Sequence, residues 1–303
     1  MFSSKKKLAA LASVAVMSLT LAACSGGGDA DTESTNSGSE GSMEVSIGIP
    51  SGWDEGVVVS HAMAIALEDQ GYTVDLTDAD IGLVFTSIAS GDMDLLLDGW
   101  LPLTHGSYLE QYGDQMEDLG AWYDEAKLAL AVNNDAPIQS IDELAENADV
   151  FNNEIIGIDA GAGLTQTTQD ATIPTYGLEN MDFKVSSTAA MLAALDSAMA
   201  SGEDIVVTLW SPHWAYGAYD IRDLEDPEGS YGGAESIHAF ARSGFSEDQP
   251  EIAAMLEAFE LSAEELSDLE NYALNENKDR PLPETVGEWL DENPEVRDRM
   301  NLN

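Results

Sequence analysis

Three tryptophans in this sequence share one position, just beyond the carboxyl end of a predicted strand and next to glycine or proline. They are Trp53, Trp100 and Trp210. Indole faces attract cations, and such contacts suit a quaternary ammonium group, which has no N–H to donate. Any one of these tryptophans fits a core or interface position equally well. Three with the same placement, spread over both halves of the chain, predict an aromatic cage.

The sequence also offers groups that could hold an anion beside a cage. Residues 159–164 (DAGAGL) follow a predicted strand and precede a polar, helix-forming run. Small residues there present backbone N–H groups at a helix N-terminus. His105, in the loop after Trp100, can donate a further hydrogen bond. Together these features predict a zwitterionic ligand, although the Gly-Ala-Gly run alone is also typical of a plain turn and a loop histidine can simply be solvated.

The elements that must position these loops alternate between strand-like and helix-like segments. Repeated βα alternation predicts an α/β fold with parallel-rich sheets and helices on both faces. Two such blocks meet near Asn133 and Asn134, which predicts a two-lobed venus-flytrap with a cleft at the strand carboxyl ends. The predicted strands are 43–49, 72–76, 94–97, 127–132, 154–158, 183–185, 205–209 and 237–241, and the predicted helices are 56–67, 81–89, 141–145 and 189–200, before an acidic, helical stretch from 247 onward.

The predicted organisation of the chain has four parts. Residues 1–23 combine a lysine-rich start with a short apolar run, which is typical of a secretory signal peptide. Residues 24–43 contain few apolar side chains and are predicted to form a flexible tether. Lobe I is expected to comprise 44–132 plus 237–303, and lobe II to comprise 133–236.

The only cysteine, Cys24, ends the sequence Leu21-Ala22-Ala23-Cys24. This segment resembles the lipobox of bacterial lipoproteins, and the resemblance implies cleavage before Cys24 and lipidation of its sulfur. A lone cysteine has no disulfide partner, which favours this interpretation over a generic export signal with a chance cysteine. We therefore expect an extracytoplasmic protein, anchored to the cell membrane by a lipid.

The charge balance of the chain excludes some partners. Its 303 residues include 57 acidic and 11 basic side chains, a formal charge of −46. So negative a protein repels phosphate backbones, which excludes nucleic-acid binding. We interpret the acid excess as a halophilic adaptation, because salt screens the self-repulsion that destabilises the compact state. An ordinary solvated acidic surface is the alternative.

Other functional classes lack the residues that they need. None of the four histidines lies in a Gly-x-Ser-x-Gly nucleophile elbow, which disfavours a hydrolase. We therefore do not expect an enzyme. The sequence has no His-x-x-x-His spacing and no Asp-x-Asp-x-Asp-Gly loop, which disfavours a metal-capture lipoprotein. We expect neither a metal nor a cofactor. The histidines are His61, His105, His213 and His238.

Four motifs together resemble the substrate-binding proteins of glycine betaine/proline betaine ABC importers. The motifs are 99–105 (GWLPLTH), 156–163 (IGIDAGAG), 210–214 (WSPHW) and 226–235 (DPEGSYGGAE). The similarity covers about residues 44–260. It implies a type II periplasmic binding protein-like fold, a monomer, and an osmoprotective role in transport with an ABC permease and ATPase.

The resemblance also assigns the ligand site. It implies a cage of indoles around a trimethylammonium group, with the ligand carboxylate held by two backbone amides and a histidine. Choline, ectoine or a sulfonium osmolyte remain alternative ligands, but choline has no carboxylate and ectoine has no permethylated cation. The implied cage residues are Trp53, Trp100 and Trp210, and the implied carboxylate-binding residues are Gly163, Leu164 and His105.

Overall fold

The computed structural model describes residues 43–302, which belong to one compact unit. The predicted signal peptide, the lipidated Cys24 and nearly all of the predicted tether lie outside the described residues. The strands are β1 (Glu44–Pro50), β2 (Thr73–Ala79), β3 (Leu95–Leu101), β4 (Met116–Asn133), β5 (Glu154–Ile156), β6 (Asp182–Lys184), β7 (Val206–Ser211), β8 (Ile221–Asp223) and β9 (Glu235–Arg242).

The helices pack around these strands. The α-helices are α1 (Asp54–Asp69), α2 (Ile81–Ser90), α3 (Gly106–Tyr112), α4 (Gly163–Thr167), α5 (Ile173–Tyr176), α6 (Thr188–Ser201), α7 (Ala215–Ala218), α8 (Phe245–Asp248), α9 (Pro250–Ala258), α10 (Ala263–Glu270), α11 (Leu282–Glu292) and α12 (Pro294–Arg299). A π-helical turn, Thr168–Thr172, joins α4 to α5, and another, Asn271–Glu276, follows α10. Short 3₁₀ helices occupy Gly113–Gln115, Ile141–Glu143 and Ala148–Phe151.

The strands of the described residues form one mixed sheet in the order β2-β1-β3-β9-β4-β7-β5-β6, with β8 paired to β4. Parallel pairing holds at the two ends, where β1 joins β2 and β3, and β5 joins β6 and β7. Pairing is antiparallel in the middle, from β3 through β9 and β4 to β7. The two parallel blocks match the two predicted βα blocks, and the antiparallel strands connect them.

The long strand β4 links the two halves of the sheet. Its first part pairs with β9 as far as Ala126, and its second part pairs with β7 from Lys127 onward. The change of partner therefore lies inside β4, whereas the sequence placed the junction at its end, near Asn133. The sequence did not predict a strand over residues 116–126. Three register shifts interrupt the pairing of this part with β9, so apolar and polar side chains do not alternate regularly along it. The division into lobes by residue number otherwise stays a prediction.

Local chemistry explains where the site-forming helices begin and end. In α2 the Asp80 side chain accepts a hydrogen bond from the Gly82 N–H, and the helix ends at Gly91 with a left-handed φ of 79°. Helix α1 has two acids in its first turn, which favour the positive helix N-terminus. It follows β1 at once, so Trp53 lies at the junction of strand and helix.

The C-terminal part of the chain is helical, as predicted, and prolines mark several helix starts. Pro250 and Pro294 occupy the first turns of α9 and α12, and Pro281 precedes α11. The predicted helix at 141–145 is instead the 3₁₀ turn Ile141–Glu143, closed by a capping box with Ser140. No helix in residues 43–302 is long and apolar enough to cross a membrane.

Candidate functional site

The three indoles singled out in the sequence meet in one pocket. Trp53 directly precedes α1, Trp100 lies near the end of β3, and Trp210 lies near the end of β7. Their exposed fractions are 7%, 2% and 3%. The pocket has an empty volume of about 270 Å³, and its lining comes from both halves of the sheet. The lining residues are Trp53, Glu55, Trp100, Thr104, Leu128, Ile158, Ala162, Leu164 and Trp210.

Two of the indoles are held by carboxyl groups behind them. The Trp100 Nε1–H donates to Asp98 Oδ1 at 2.9 Å, and the Trp210 Nε1–H donates to Glu55 Oε2 at 2.8 Å. The second bond joins β7 to α1, and so it links the two halves of the sheet across the pocket. These bonds fix the orientation of the rings, which lets their faces line the pocket without a polar N–H pointing into it.

His105 is a buried, neutral donor beside the cage. Its ring stacks on Trp53 with centroids 5.3 Å apart and an interplanar angle of 3°. Burial lowers the pKa of His105 to about 3, so the ring is neutral at physiological pH. Its Nδ1 accepts a hydrogen bond of 2.8 Å from the Trp100 backbone N–H, which places the proton on Nε2. That Nε2 is buried and has no partner among the described residues.

The predicted carboxylate-binding amides belong to the first turn of α4. Gly163 and Leu164 are its first two residues, so their N–H groups have no acceptor within the helix. Leu164 lines the pocket. A Cβ on Gly163 would lie 2.4 Å from the Thr104 carbonyl oxygen, so only glycine allows α4 to approach the Thr104 loop this closely.

The Thr104 loop is itself held by a buried acid that the sequence analysis did not single out. Glu235, at the start of β9, accepts hydrogen bonds from the N–H groups of Leu103 and Thr104 at 2.6 and 2.9 Å and from the Thr104 hydroxyl. It is 2% exposed. Glu235 pairs with Ala126, beside the point where β4 changes partner. It therefore connects the junction of the sheet to a wall of the pocket.

A group of acids behind the cage also escaped the sequence analysis; we call it the carboxyl cluster (Asp54, Glu55, Asp98 and Glu270). Burial raises the pKa of Asp98 to about 7 and that of Asp54 to about 6. Burial, and then the neighbouring carboxyls, raise the pKa values of Glu55 and Glu270 well above the usual range. One signal in the sequence was available for Asp98, which interrupts the apolar run of β3 (LLLDGWL).

The remaining tryptophans contribute to packing. Trp122 and Trp289 are each 2% exposed in the core, and their N–H groups bond to the Leu97 carbonyl and to Asp268. Trp214 is the last residue of the 210–214 motif, and its indole N–H donates to Asp54 of the carboxyl cluster. It thus lies behind the cage, next to His213, rather than in the pocket lining.

Comparison with known proteins identifies the family. Residues 43–292 match the OpuAC family, described as the substrate binding domain of ABC-type glycine betaine transport systems. The chain belongs to this family. The OpuAC match covers all strands and all helices up to α11, and so it includes every element that lines the pocket.

Two solved structures share the OpuAC fold. The glycine betaine/L-proline-binding protein ProX of Borrelia burgdorferi is 31% identical, with a TM-score of 0.79, and the match covers 85% of this chain and 96% of that one. Lactococcal OpuAC, closed around glycine betaine, is 28% identical, with a TM-score of 0.78 and coverage of 85% and 98%. The predicted α/β fold of two-lobed periplasmic binding proteins is confirmed.

A curated relative is similar over a shorter segment. The glycine betaine/carnitine transport binding protein GbuC of Listeria monocytogenes is 39% identical over 162 residues, which are 53% of this chain. The matched part spans about half, 52%, of the length of that relative. The predicted family is thus confirmed, whereas the ligand and the individual site residues stay predictions.

Proposed function

We propose that this chain is the extracytoplasmic binding protein of an ABC importer, and that it captures glycine betaine or proline betaine between its two lobes without changing it chemically. The observation that carries the proposal is the meeting of Trp53, Trp100 and Trp210 in one pocket. Each desolvated indole face contributes roughly 2 kcal/mol to holding a quaternary ammonium. Family membership and the named ligands of ProX and OpuAC support the same ligand class.

Neutral donors next to the pocket, at the start of α4 and on the His105 ring, suit a carboxylate. The first-turn N–H groups of Gly163 and Leu164 and the unpartnered Nε2–H of His105 are neutral donors. A carboxylate there would satisfy the buried histidine donor, which otherwise has no partner. This match favours a betaine over choline, because choline would leave the donors unused.

Ligand capture would couple to closure of the two lobes. The pocket is lined by α1 and β3 on one side and by β4, α4 and β7 on the other. A ligand that touches both sides binds the closed form more tightly than the open form, and so it shifts the population toward closure. In this proposal the closed form is what the permease recognises.

A titration with glycine betaine tests the proposal, with calorimetry and tryptophan fluorescence measured on the same samples. We expect saturable binding, with choline and ectoine binding more weakly. Trp210→Phe and Trp100→Phe should each reduce the affinity about tenfold, because benzene is a poorer cation-binding face than indole. Trp289→Phe is the matched control, since it removes a buried tryptophan outside the pocket. Absence of heat and fluorescence change with all three ligands would overturn the proposal.

The membrane anchor is a separate part of the proposal and rests on the sequence alone. We expect Cys24 to carry a diacylglycerol that tethers the folded unit to the outer face of the cell membrane. Labelling cells with a radioactive fatty acid should mark the wild-type protein, whereas Cys24→Ser should abolish the label and release the protein into the soluble fraction. Persistent labelling of that variant would contradict lipidation at Cys24.

A further inference from the structure

The carboxyl cluster in and behind the pocket wall holds more acid than a binding site for a net neutral ligand needs. Asp54 and Glu55 come from α1, Asp98 from β3 and Glu270 from α10. Glu55, Asp98 and Glu270 are at most 1% exposed. Within residues 43–302, no lysine or arginine forms an ion pair with any of the four. A buried carboxylate without a counter-ion is costly, so some of these groups must keep their protons while the pocket is empty.

The cluster is in direct contact with the cage. Glu55 lines the pocket and accepts from Trp210, while Asp98 accepts from Trp100. The second oxygen of Asp98, Oδ2, is buried and has no hydrogen-bond partner within residues 43–302. That oxygen lies 2.5 Å from where a Cβ on Gly56 would be, so it faces the first turn of α1, beside Glu55. The carboxyl groups and the cage thus form one continuous unit.

We propose that the carboxyl cluster is the proton-releasing counter-charge of the ligand cation: when a quaternary ammonium enters the cage, the cluster gives up a proton to solvent and becomes more negative. This inference rests on the proposed function and deepens it. A permethylated cation carries no proton of its own, so the proton comes from the protein. The site then favours a charged head group over a neutral one of the same shape.

The direction of the effect follows from simple electrostatics. A cation close to a carboxyl group stabilises its ionised form and lowers its pKa. Asp98, with a pKa of about 7, and Asp54, with a pKa of about 6, are therefore protonated in part near neutrality when the pocket is empty and ionised when it is filled. By linkage, affinity for the ligand rises with pH up to about 7, and it falls as pH drops.

Other titratable groups that face the cluster do not reproduce this dependence. His213, before α7, lies 3.3 Å from Asp54, but burial lowers its pKa to about 3, so it stays neutral above pH 5. Tyr123, on β4, faces Glu270, and its raised pKa keeps it neutral. Asp159 lies on the far side of Trp53, and burial and Asp80 raise its pKa. The experiment below therefore includes Asp159→Asn.

The test is calorimetry with glycine betaine and with tetramethylammonium between pH 5.5 and 8, in buffers of different ionisation enthalpy. We expect the Kd to fall as pH rises to about 7, by at most about tenfold per pH unit for each proton released, and the buffer dependence to report that release. Asp98→Asn should weaken binding at pH 8 and flatten the profile. Asp223→Asn is the matched control, because burial also raises the pKa of Asp223 but it lies on β8, outside the cluster.

Each outcome decides the inference. A Kd that does not change with pH, or proton release that persists undiminished when Asp98 and Asp54 are both replaced by Asn, would overturn it while leaving the proposed function intact. A profile flattened by Asp159→Asn instead would overturn the assignment to the cluster. If neither ligand binds at any pH, the proposed function fails. In that case the inference is tested without ligand, by following the ionisation of the four cluster carboxyl groups with carbon-13 NMR as the pH changes. Ionisation of all four below pH 5 would contradict the inference.

Discussion

In the proposed betaine site, the end that would take the cation and the end that would take the anion use opposite solutions to the problem of burying charge. The cation end is built from indole faces backed by carboxyl groups that can hold or release protons. The anion end is built from neutral donors, namely the first-turn amides of α4 and the His105 ring. Neutral donors carry no charge that must be neutralised in the empty state, whereas an ionised carboxyl does. The difference explains why the buried carboxyl groups with raised pKa values lie behind the cage, whereas the buried His105 stays neutral.

The largest expected effect comes from adding a methyl group where α4 packs against the Thr104 loop. Gly163→Ala places a methyl group 2.4 Å from the Thr104 carbonyl oxygen. Such overpacking against backbone costs about 1–3 kcal/mol, so we expect affinity for glycine betaine and tetramethylammonium alike to fall roughly 10- to 100-fold. Calorimetry measures both values. Gly217→Ala is the control, since its Cβ would meet no atom within 4 Å, and an unchanged Kd for Gly163→Ala would show that the two walls need not approach.

The second prediction separates the two ends. His105→Phe keeps a ring to stack on Trp53 but removes the Nε2 donor. A hydrogen bond to a charged group is worth about 1.5–3 kcal/mol, so affinity for glycine betaine should fall by a factor of roughly 10 or more. Affinity for choline, which has no carboxylate, should fall less, because that ligand loses only what the Nδ1 acceptor of the Trp100 N–H contributes to the cage. Equal losses for the two ligands would mean that His105 supports the cage and does not serve the anion end.

The third prediction concerns the support of the anion end. Glu235→Ala frees the Leu103 and Thr104 N–H groups and the Thr104 hydroxyl. We expect affinity for glycine betaine to fall about fivefold, because the loop that carries His105 loses its fixed position. Glu235→Gln keeps an acceptor for the amides and should restore most of the affinity. If tetramethylammonium binding falls as much as betaine binding in Glu235→Ala, the residue stabilises the whole fold and does not position this loop.

The smallest prediction concerns the cation end without ligand. Asp98 has a pKa raised by burial, so the folded protein holds a proton that the unfolded chain releases above pH 4. This contribution to stability is therefore present at low pH and declines as pH rises toward about 7. Asp98→Asn removes the dependence, so it should stabilise the empty protein more at pH 8 than at pH 5, by about 1–2 kcal/mol. Urea unfolding at both pH values measures this difference, and a variant less stable at pH 8 would contradict the prediction.

The aromatic cage could be predicted from the sequence because its residues are marked locally. Trp53 follows an alternating strand and precedes a helix with two acids in its first turn, and these signals act over a few residues. Trp210 lies near the end of a mainly apolar run that becomes β7. When an apolar run and a turn signal are adjacent, the position of the residue between them, at the carboxyl end of the strand, is already determined.

The carboxyl cluster could not be predicted in the same way. Glu270 lies in an acidic helical stretch, where nothing local distinguishes it from Glu264, yet one is fully buried and the other is exposed. The difference arises because α10 packs against α1, far away in sequence. Glu235 is a similar case, since its partners lie more than 130 residues earlier in the chain.

The sequence by itself determined the alternation of elements, the loops at the strand ends and the residue types in those loops. These follow from periodicity and turn chemistry, which act over a few residues. Only the tertiary structure decided which of the 57 acidic residues leave water and gather behind the cage. Burial and charge coupling depend on contacts between elements that are distant in the chain, so the electrostatic character of the pocket is a property of the packed fold.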